Sequence, residues 1–168
     1  MHGFRHGRST VTALLTMYDR WIKSAAAGRF SGAVFLDLSA AFDLVDHSLL
    51  IQKLKLYGLS QSALEWVTTY LDNRYQAVWL DHVLSDFLET KIGVPQGSNL
   101  GPLFFIISFN DLPEVLKNYM DNYADDTTLT ATGSSVVEVE NKLTSDCSAV
   151  AKWMVQNKLK LNPEKPIF

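Results

Sequence analysis

The chain has 168 residues, 47% of them hydrophobic, and a formal net charge of -3 at pH 7. This length and apolar content predict one domain, or one piece of a larger domain, with a sizeable hydrophobic core, and they exclude a disordered protein. The acidic balance argues against a free-standing nucleic-acid-binding module but not against a catalytic fragment. A single cysteine, Cys147, excludes an internal disulfide and a cysteine zinc site.

Targeting signals are missing from the sequence. No apolar run reaches the length of a membrane span, and the first residues lack the apolar segment of a signal peptide. We therefore expect an intracellular protein that has no membrane partner, and both the nucleus and the cytoplasm stay open.

The first part of the chain predicts a helix and then a buried strand. The helix covers residues 10–27, with Ser9 as its N-cap and Gly28 after its end. Its apolar positions recur at helical spacing: Val11, Leu14, Leu15, Tyr18 and Ile22. The apolar run over residues 32–38 predicts a strand interrupted only by Asp37. Because an unpaired buried carboxylate is costly, Asp37 should end the strand, be paired or bind a metal ion.

The middle of the chain predicts two helices, two strands and a glycine-rich loop. The helices cover residues 48–57 and 60–72, and Ser62 and Glu65 in the second fit a capping box. Residues 74–80 and 85–92 predict two strands separated by a turn near His82. Neither His82 nor His47 has a partner at metal-ligand spacing, so we assign structural roles to both histidines. The glycines and prolines of residues 93–102 suit a rigid loop that brings backbone N–H groups to a ligand.

The last part predicts a buried helix, a hairpin, a long helix and a strand. The buried helix covers residues 101–110, and the hairpin covers residues 119–131. The long helix over residues 136–157 has one apolar face: Val136, Val139, Leu143, Cys147, Val150 and Met154. Residues 158–161 alternate like a half-buried strand. This order indicates an α+β fold, an antiparallel sheet with helices packed on one face.

Three carboxylates fall on strand or hairpin positions: Asp37, Asp125 and Asp126. Like charges about 4 Å apart repel by roughly 4 kcal/mol at an effective dielectric near 20. Protonation, exposure to water or a shared divalent cation would relieve that repulsion. If the strand of Asp37 lies beside the hairpin, all three acids meet at one sheet edge, where oxygen ligands suit Mg²⁺ or Mn²⁺. From residue type and spacing alone, a metal site and a solvated Asp-Asp turn are equally good interpretations.

Four sequence motifs occur one after another along the chain. They are FLDLSAAFD at residues 35–43, GVPQGSNLGP at residues 93–102, YADD at residues 123–126, and NKLKLNPEK at residues 157–165. Together they resemble the successive palm motifs of reverse transcriptases from non-LTR (LINE-type) retrotransposons, and residues 2–10 resemble the segment that precedes those motifs. The resemblance covers nearly the whole chain, and four motifs in order are far more specific than a lone Asp-Asp pair.

The resemblance implies an α+β polymerase palm with a catalytic hairpin, partial fingers and no thumb. Residues 1–31 would end the fingers region and residues 32–168 would form the palm of a reverse transcriptase domain fragment. The implied function is an RNA-directed DNA polymerase core that adds deoxynucleotides to a primer 3′-hydroxyl by two-metal phosphoryl transfer in retrotransposition. Its partners would be an RNA template, a DNA primer, deoxynucleoside triphosphates and the missing fingers and thumb segments of a larger polyprotein. Its cofactors would be two Mg²⁺ or Mn²⁺ ions.

The resemblance also assigns roles to individual residues. The implied catalytic metal ligands are Asp37, Asp125 and Asp126. The implied contacts to nucleotide or template are Leu38, Phe42, Pro95, Gln96, Gly97 and Tyr123. Phe42 would lie under the incoming sugar and exclude a 2′-hydroxyl, with core packing as the alternative. The Leu38 carbonyl could be an extra metal ligand, and Lys165 would be a candidate proton donor to pyrophosphate.

Departures from the family pattern leave other functions open. Asn99 and Pro166 differ from the residues common in the family, and the basic fingers segment that grips the triphosphate is missing. We therefore expect these 168 residues alone to polymerise poorly. One alternative is a truncated, catalytically silent retroelement remnant that acts at most as a binding or interaction module. Another is an RNA-dependent RNA polymerase or a cyclase, against which Phe42 and Tyr123 argue.

Overall fold

The computed structural model describes residue 3 and residues 7–37, 42–95, 97–124 and 126–159. The chain divides into two compact units: residues 1–40 with 109–168 form the first, and residues 41–108 form the second. Within the described ranges, no helix combines the length and the apolar character that a membrane span requires.

The described secondary structure follows the predicted order. In chain order the elements are α1 (Thr10–Ala26), β1 (Phe30–Asp37), α2 (His47–Leu56), α3 (Gln61–Leu71), β2 (Tyr75–Gln76), β3 (Trp79–Leu80), β4 (Val83–Leu84), β5 (Leu88–Glu89), α4 (Gly101–Phe109), a 3-10 helix (Leu112–Val115), β6 (Tyr119–Tyr123), β7 (Asp126–Gly133) and α5 (Val136–Gln156).

The first unit is built on an antiparallel sheet in the order β1-β7-β6. This order confirms that the strand ending at Asp37 lies beside the hairpin. Side chains alternate between the two faces along each strand, so the register decides which residues share a face. Gly32, Leu36 and Leu129 share the first face, because Gly32 lies opposite Ala131 and Leu36 lies opposite Thr127. Leu129 is completely buried there.

Helices contact both faces of this sheet, so the expected packing on one face is wrong. On the first face, α5 approaches so closely that a Cβ atom on Gly32 would lie 2.7 Å from Val139 Cγ1. On the second face, Arg20 of α1 donates to Asp121 at 2.6 Å and to Thr130 at 3.2 Å. Asp121 is buried, and a buried carboxylate requires such a cationic partner.

The ion pair also determines which side of α1 faces the sheet. Ser9 caps α1 as predicted, with a reciprocal hydrogen bond between its backbone N–H and Thr12. The buried positions are Ala13, Met17 and Ser24, which share a helical face with Arg20. The predicted apolar stripe is exposed instead: Val11, Leu14, Leu15, Tyr18 and Ile22. These residues do lie on a helix, as predicted. They do not form the face of that helix that packs within the first unit.

The start of α5 is fixed to the end of β7 by Glu138. Its carboxylate accepts hydrogen bonds from Lys142 Nζ at 2.6 Å and from the N–H and hydroxyl groups of Ser134, both at 2.7 Å. The Lys142 hydrogen bond, followed by those of Ser134, lowers the pKa of Glu138 to about 2. Ser135 caps the helix by accepting from the Glu138 N–H. The junction between β7 and α5 therefore keeps its charged hydrogen bonds down to strongly acidic pH.

A buried carboxylate on α5 anchors the segment that enters the hairpin. Asp146 is 1% exposed, and it accepts hydrogen bonds from the backbone N–H groups of Lys117 and Asn118 and from Asn118 Nδ2. The buried face of α5 comprises Val139, Asp146, Val150, Trp153 and Met154. It overlaps the predicted face, but Val136 is 61% exposed, because the helix turns Asp146 inward to meet the two amides.

The second unit consists of α2, α3, most of α4 and a hairpin ribbon. Its core is apolar: Val45, Leu50, Leu54, Leu64, Val67, Leu71, Val94 and Phe104. Ser60, not Ser62, is the N-cap of α3, so the predicted capping box on Ser62 is wrong. Ser62 is the second residue of the helix, two positions after the residue that bonds its free N–H groups.

The ribbon shows how local turns interrupt a predicted strand. The first predicted strand is broken into β2 and β3, and the second is replaced by β5 and by β4, which begins before the predicted range. In the ribbon, β2 pairs with β5 and β3 pairs with β4. Asp81 and His82 form the tip with positive φ angles of 46° and 67°, which a two-residue hairpin turn requires. The predicted strand after α5 does not begin at Lys158, which adopts a φ of 58° in a turn. Residues 160 and 161 lie outside the described residues.

We predict that Asp146→Ala lowers the free energy of unfolding of the chain by about 3 kcal/mol, because it leaves buried N–H donors without an acceptor. Urea unfolding followed by circular dichroism measures this change. Asp19→Ala is the matched control: Asp19 forms an exposed ion pair with Lys23, so its loss should cost no more than about 0.5 kcal/mol. Equal losses in the two variants would contradict the anchoring role of Asp146.

Candidate active site

Two of the predicted acids lie side by side at one end of the sheet. Asp37 is the last residue of β1 and Asp126 is the first residue of β7, and the two are direct cross-strand partners. Asp126 is also paired with Tyr123, the last residue of β6. Direct partners in antiparallel strands point to the same face, with Cβ atoms about 4.5–5.5 Å apart. We call Asp37, Asp126 and Tyr123 the carboxylate row.

The carboxylate row lies on the second face of the sheet. Asp126, Thr128 and Thr130 alternate onto that face, where Arg20 bonds Thr130 and Asp121. Asp126 is exposed, Asp37 is half-buried, and Phe35, the neighbour of Asp37 on this face, is 59% exposed. The acids are therefore open to solvent and to a ligand on a surface flanked by aromatic side chains.

A tight turn joins the two strands of the hairpin. Tyr123 and Asp126 are paired, so only two residues form the loop, and the first of them, Ala124, has a φ of 55°. The second, Asp125, lies outside the described residues. Accordingly, within the described ranges no three potential ligands among His, Cys, Asp and Glu cluster together.

The donor chemistry of the carboxylate row fits a hard divalent cation. Like charges directly opposite in a sheet are destabilising, and a shared cation removes that repulsion. The two side chains offer only oxygen atoms, which Mg²⁺ and Mn²⁺ prefer over softer metal ions. The predicted ligands Asp37 and Asp126 could therefore hold such a cation, and the third predicted ligand, Asp125, precedes Asp126 in sequence.

In the second unit, the end of the first motif and the start of the glycine-rich loop are hydrogen-bonded together. Gly93 N–H donates to Val45 O at 2.7 Å, and Val94 N–H donates to Phe42 O at 2.8 Å. His47 Nε2 lies 2.7 Å from Gly93 O, which confirms a structural role for this histidine. Gly93 has a φ of 87°, and a Cβ atom on it would lie within 3.0 Å of the Asp43 backbone. Only glycine fits this close approach.

Phe42 is half-buried and stacks on Phe105. The ring centroids are 4.2 Å apart and the ring planes differ by 7°. This contact supports the core-packing alternative, while a contact with an incoming sugar stays a prediction. Stacking and sugar contact are compatible, because one face of a phenyl ring can pack while an edge remains accessible.

The glycine-rich loop forms a tight turn into α4. Ser98 Oγ donates to Pro95 O at 2.8 Å and accepts at 2.9 Å from the N–H of Gly101, the first residue of α4. Gly97 is exposed, with a φ of 78° and open space around it. Beside this loop lies a cavity of about 700 Å³, whose lining includes Arg74 and Lys91. The loop thus presents backbone to solvent next to a polar cavity.

The predicted site residues therefore divide into three groups. Asp37, Tyr123 and Asp126 meet on one face of the first unit. Phe42, Pro95 and Gly97 belong to the second unit. The predicted residues outside the described ones are Leu38, Gln96, Asp125 and Lys165.

Two residues that support the site were missed by the sequence analysis. Arg20 and Asp146 each hold part of the hairpin through a charged hydrogen bond. The available signal was a polar residue inside an otherwise apolar helical face, but a helical pattern does not reveal a partner about a hundred residues away, as Asp121 is from Arg20.

We predict that Gly93→Ala lowers the free energy of unfolding by about 3 kcal/mol, because a methyl group there adds a backbone clash to the strain of a positive φ. Gly58→Ala is the matched control, since Gly58 has a φ of 85° but nothing within 4 Å of an added Cβ atom. It should cost only about 1 kcal/mol of strain. Equal unfolding free energies for the two variants would contradict the close packing of Gly93 on Asp43.

Comparison with known proteins identifies the family. The family model described as "Reverse transcriptase (RNA-dependent DNA polymerase)" matches residues 1–168. The chain is 32% identical, over 98% of its length, to a probable RNA-directed DNA polymerase from transposon BS of Drosophila melanogaster. It is 29% identical, over 97% of its length, to the RNA-directed DNA polymerase from mobile element jockey of Drosophila funebris. It spans 19% of the length of each of these relatives. The chain thus belongs to the reverse transcriptase family, in the LINE-type group that its motifs resemble.

Proposed function

We propose that the chain is the core of an RNA-directed DNA polymerase that adds deoxynucleotides to a primer 3′-hydroxyl in retrotransposition. The observation that carries this proposal is the register that places Asp37 directly opposite Asp126 on an accessible face. Membership of the family and the polymerase names of the transposon BS and jockey relatives support it. An RNA template, a DNA primer and deoxynucleoside triphosphates would be its substrates.

The proposal gives each member of the carboxylate row a task. Asp37 and Asp126, with Asp125, would hold two Mg²⁺ or Mn²⁺ ions through their carboxylate oxygens. When bound, such ions supply Lewis-acid activation of a hydroxyl nucleophile and neutralise charge on a leaving pyrophosphate. Tyr123, on the same face, would contact the nucleic acid. Sheet pairing places the three side chains on one face of the sheet before any ligand arrives.

Residues of the glycine-rich loop and the fourth motif would complete the site. Pro95, Gln96 and Gly97 would contact the incoming nucleotide and the template, and the exposed backbone at Gly97 favours such an approach. The Leu38 carbonyl would be an additional metal ligand, and Lys165 would donate a proton to pyrophosphate. Residues 32–168 would be the palm and residues 1–31 the end of the fingers. Fingers and thumb segments of a longer polypeptide would hold the triphosphate and the duplex.

We predict that the chain binds Mn²⁺ through the carboxylate row. Asp37→Asn and Asp126→Asn should each weaken binding by about tenfold or more, equivalent to about 1.4 kcal/mol, because each removes an anionic ligand. Titration followed by the electron paramagnetic resonance signal of free Mn²⁺ measures the affinity.

Asp86→Asn is the control for this measurement. Asp86 is an exposed carboxylate of the ribbon in the second unit, so its substitution removes the same charge far along the chain from the row. It should leave the affinity unchanged. An equal loss in all three variants, or no binding by the natural chain, would contradict the metal site and favour the catalytically silent alternative.

We predict that Phe42→Ala raises incorporation of ribonucleotides relative to deoxynucleotides by about tenfold or more, because a steric barrier to the 2′-hydroxyl is removed. The measurement is primer extension by a polypeptide that carries this chain together with fingers and thumb segments. Phe105→Leu serves as the control, since it disturbs the same ring stack without changing residue 42. A matching rise in the Phe105 variant would assign Phe42 to packing alone.

A further inference from the structure

Gly3 lies against the turn of the acidic hairpin. It is buried, and a Cβ atom built on it would be 3.2 Å from Ala124 Cα and 3.4 Å from the carbonyl carbon of Tyr123. The same atom would come closer to the Ala124 backbone nitrogen than any real Cβ atom does. The contact joins backbone to backbone, so no flexible side chain can move aside to make room.

The turn has little else in the described residues that fixes its position. Ala124 has a φ of 55°, and a residue with a side chain loses about 1–2 kcal/mol in this left-handed conformation. Asn122 donates to Ala124 O only at 3.5 Å, the long limit of a hydrogen bond. Asn122 Oδ1 and Thr127 Oγ1, buried at the base of the turn, have no hydrogen-bond partner. A strained turn with weak polar support depends on packing from outside the hairpin.

We propose that Gly3 is a positioning residue for the carboxylate row. Its backbone supports the peptide between Tyr123 and Ala124, which limits where β7 can begin. Asp126 is the first residue of β7 and the direct partner of Asp37, so the position of the turn sets the spacing of the two carboxylates. The inference rests on the proposed role of these acids as metal ligands.

The absence of a side chain at residue 3 is the property that matters. A methyl group there would push the turn and the start of β7 away from the segment that carries Gly3. Residues that orient metal ligands typically change metal affinity or activity by 10–100-fold when they are substituted. A displacement of the turn should therefore weaken Mn²⁺ binding by about tenfold or more, without removing any ligand.

The experiment compares Gly3→Ala with Gly7→Ala in the 168-residue chain. Gly7 belongs to the same sequence segment and has a φ of 72°, with nothing within 4 Å of an added Cβ atom. It therefore receives the same methyl group without contacting the hairpin. We expect Gly3→Ala to shift the backbone amide resonances of Tyr123 and Ala124 in the turn and of Asp37 and Asp126 in the carboxylate row. Gly7→Ala should leave these signals unchanged. Nuclear magnetic resonance measures both without any metal ion.

Several results would overturn the inference. Unchanged amide signals in Gly3→Ala would show that Gly3 does not set the turn. Equal changes in Gly7→Ala would show that the effect is not specific to the contact. Shifted signals with unaltered Mn²⁺ affinity would show packing without positioning. If the natural chain binds no Mn²⁺, the proposed function fails, and the metal-free amide shifts of Asp37 and Asp126 still test whether Gly3 positions the carboxylate row.

A second variant covers the case in which Gly3→Ala does not fold. Deleting residues 1–3 removes the contact and introduces no clash. Hydrogen exchange at the Ala124 amide should then become faster than in the natural chain, because the turn has lost its support. Unchanged exchange at this amide would contradict the inference.

Discussion

The pairing of β1 with β7 holds two like charges opposite each other, and the other contacts of the first unit maintain that arrangement. Side chains of the first face, such as Leu36 and Leu129, are buried against the helical layer, so a slip of one residue in register would turn them into solvent. The same slip would remove Asp126 from its position opposite Asp37. The hydrophobic effect on one face thus determines the geometry of the acids on the other.

One cation on the face of the carboxylate row supports the sheet itself. Arg20 approaches the same face, but its guanidinium pairs with Asp121 and contacts the Tyr119 ring at 4.2 Å from the ring centroid. It thereby supports the middle of the sheet. On the other side of the unit, burial and the nearby Asp146 carboxylate raise the pKa of the Cys147 thiol. The thiol therefore stays protonated, and Cys147 acts as a small apolar residue, as its position on the helix predicted.

Elements dominated by local sequence were predictable, and elements dominated by distant partners were not. The cap of α1 depends on Ser9, which bonds a residue three positions away, and it was predicted correctly. The packed face of α1 depends on Arg20 meeting a residue about a hundred positions away, and the apolar stripe therefore pointed to the wrong face. The turn at the tip of the ribbon depends on two consecutive residues with positive φ, Asp81 and His82, which their residue types only suggested.

The site was predictable to the extent that pairing rules apply to it. An acid at the end of a buried strand and an acid at the end of a hairpin turn become neighbours once the two strands pair, so Asp37 and Asp126 could be brought together from sequence. The hydrogen bonds from Gly93 and Val94 to the end of the first motif could not, because they depend on backbone conformations that residue types do not specify. Loop residues with a site role are the ones for which sequence periodicity carries no information.

The link between Asp146 and the backbone amides of Lys117 and Asn118 has a consequence for local unfolding. These amides directly precede β6, so the hairpin cannot separate from the rest of the unit while α5 remains docked. Helix and hairpin therefore form one cooperative unit for opening, in which fraying is confined to the ends. The acids would then be lost together with the fold of the first unit, and not through an independent excursion of the loop that carries them.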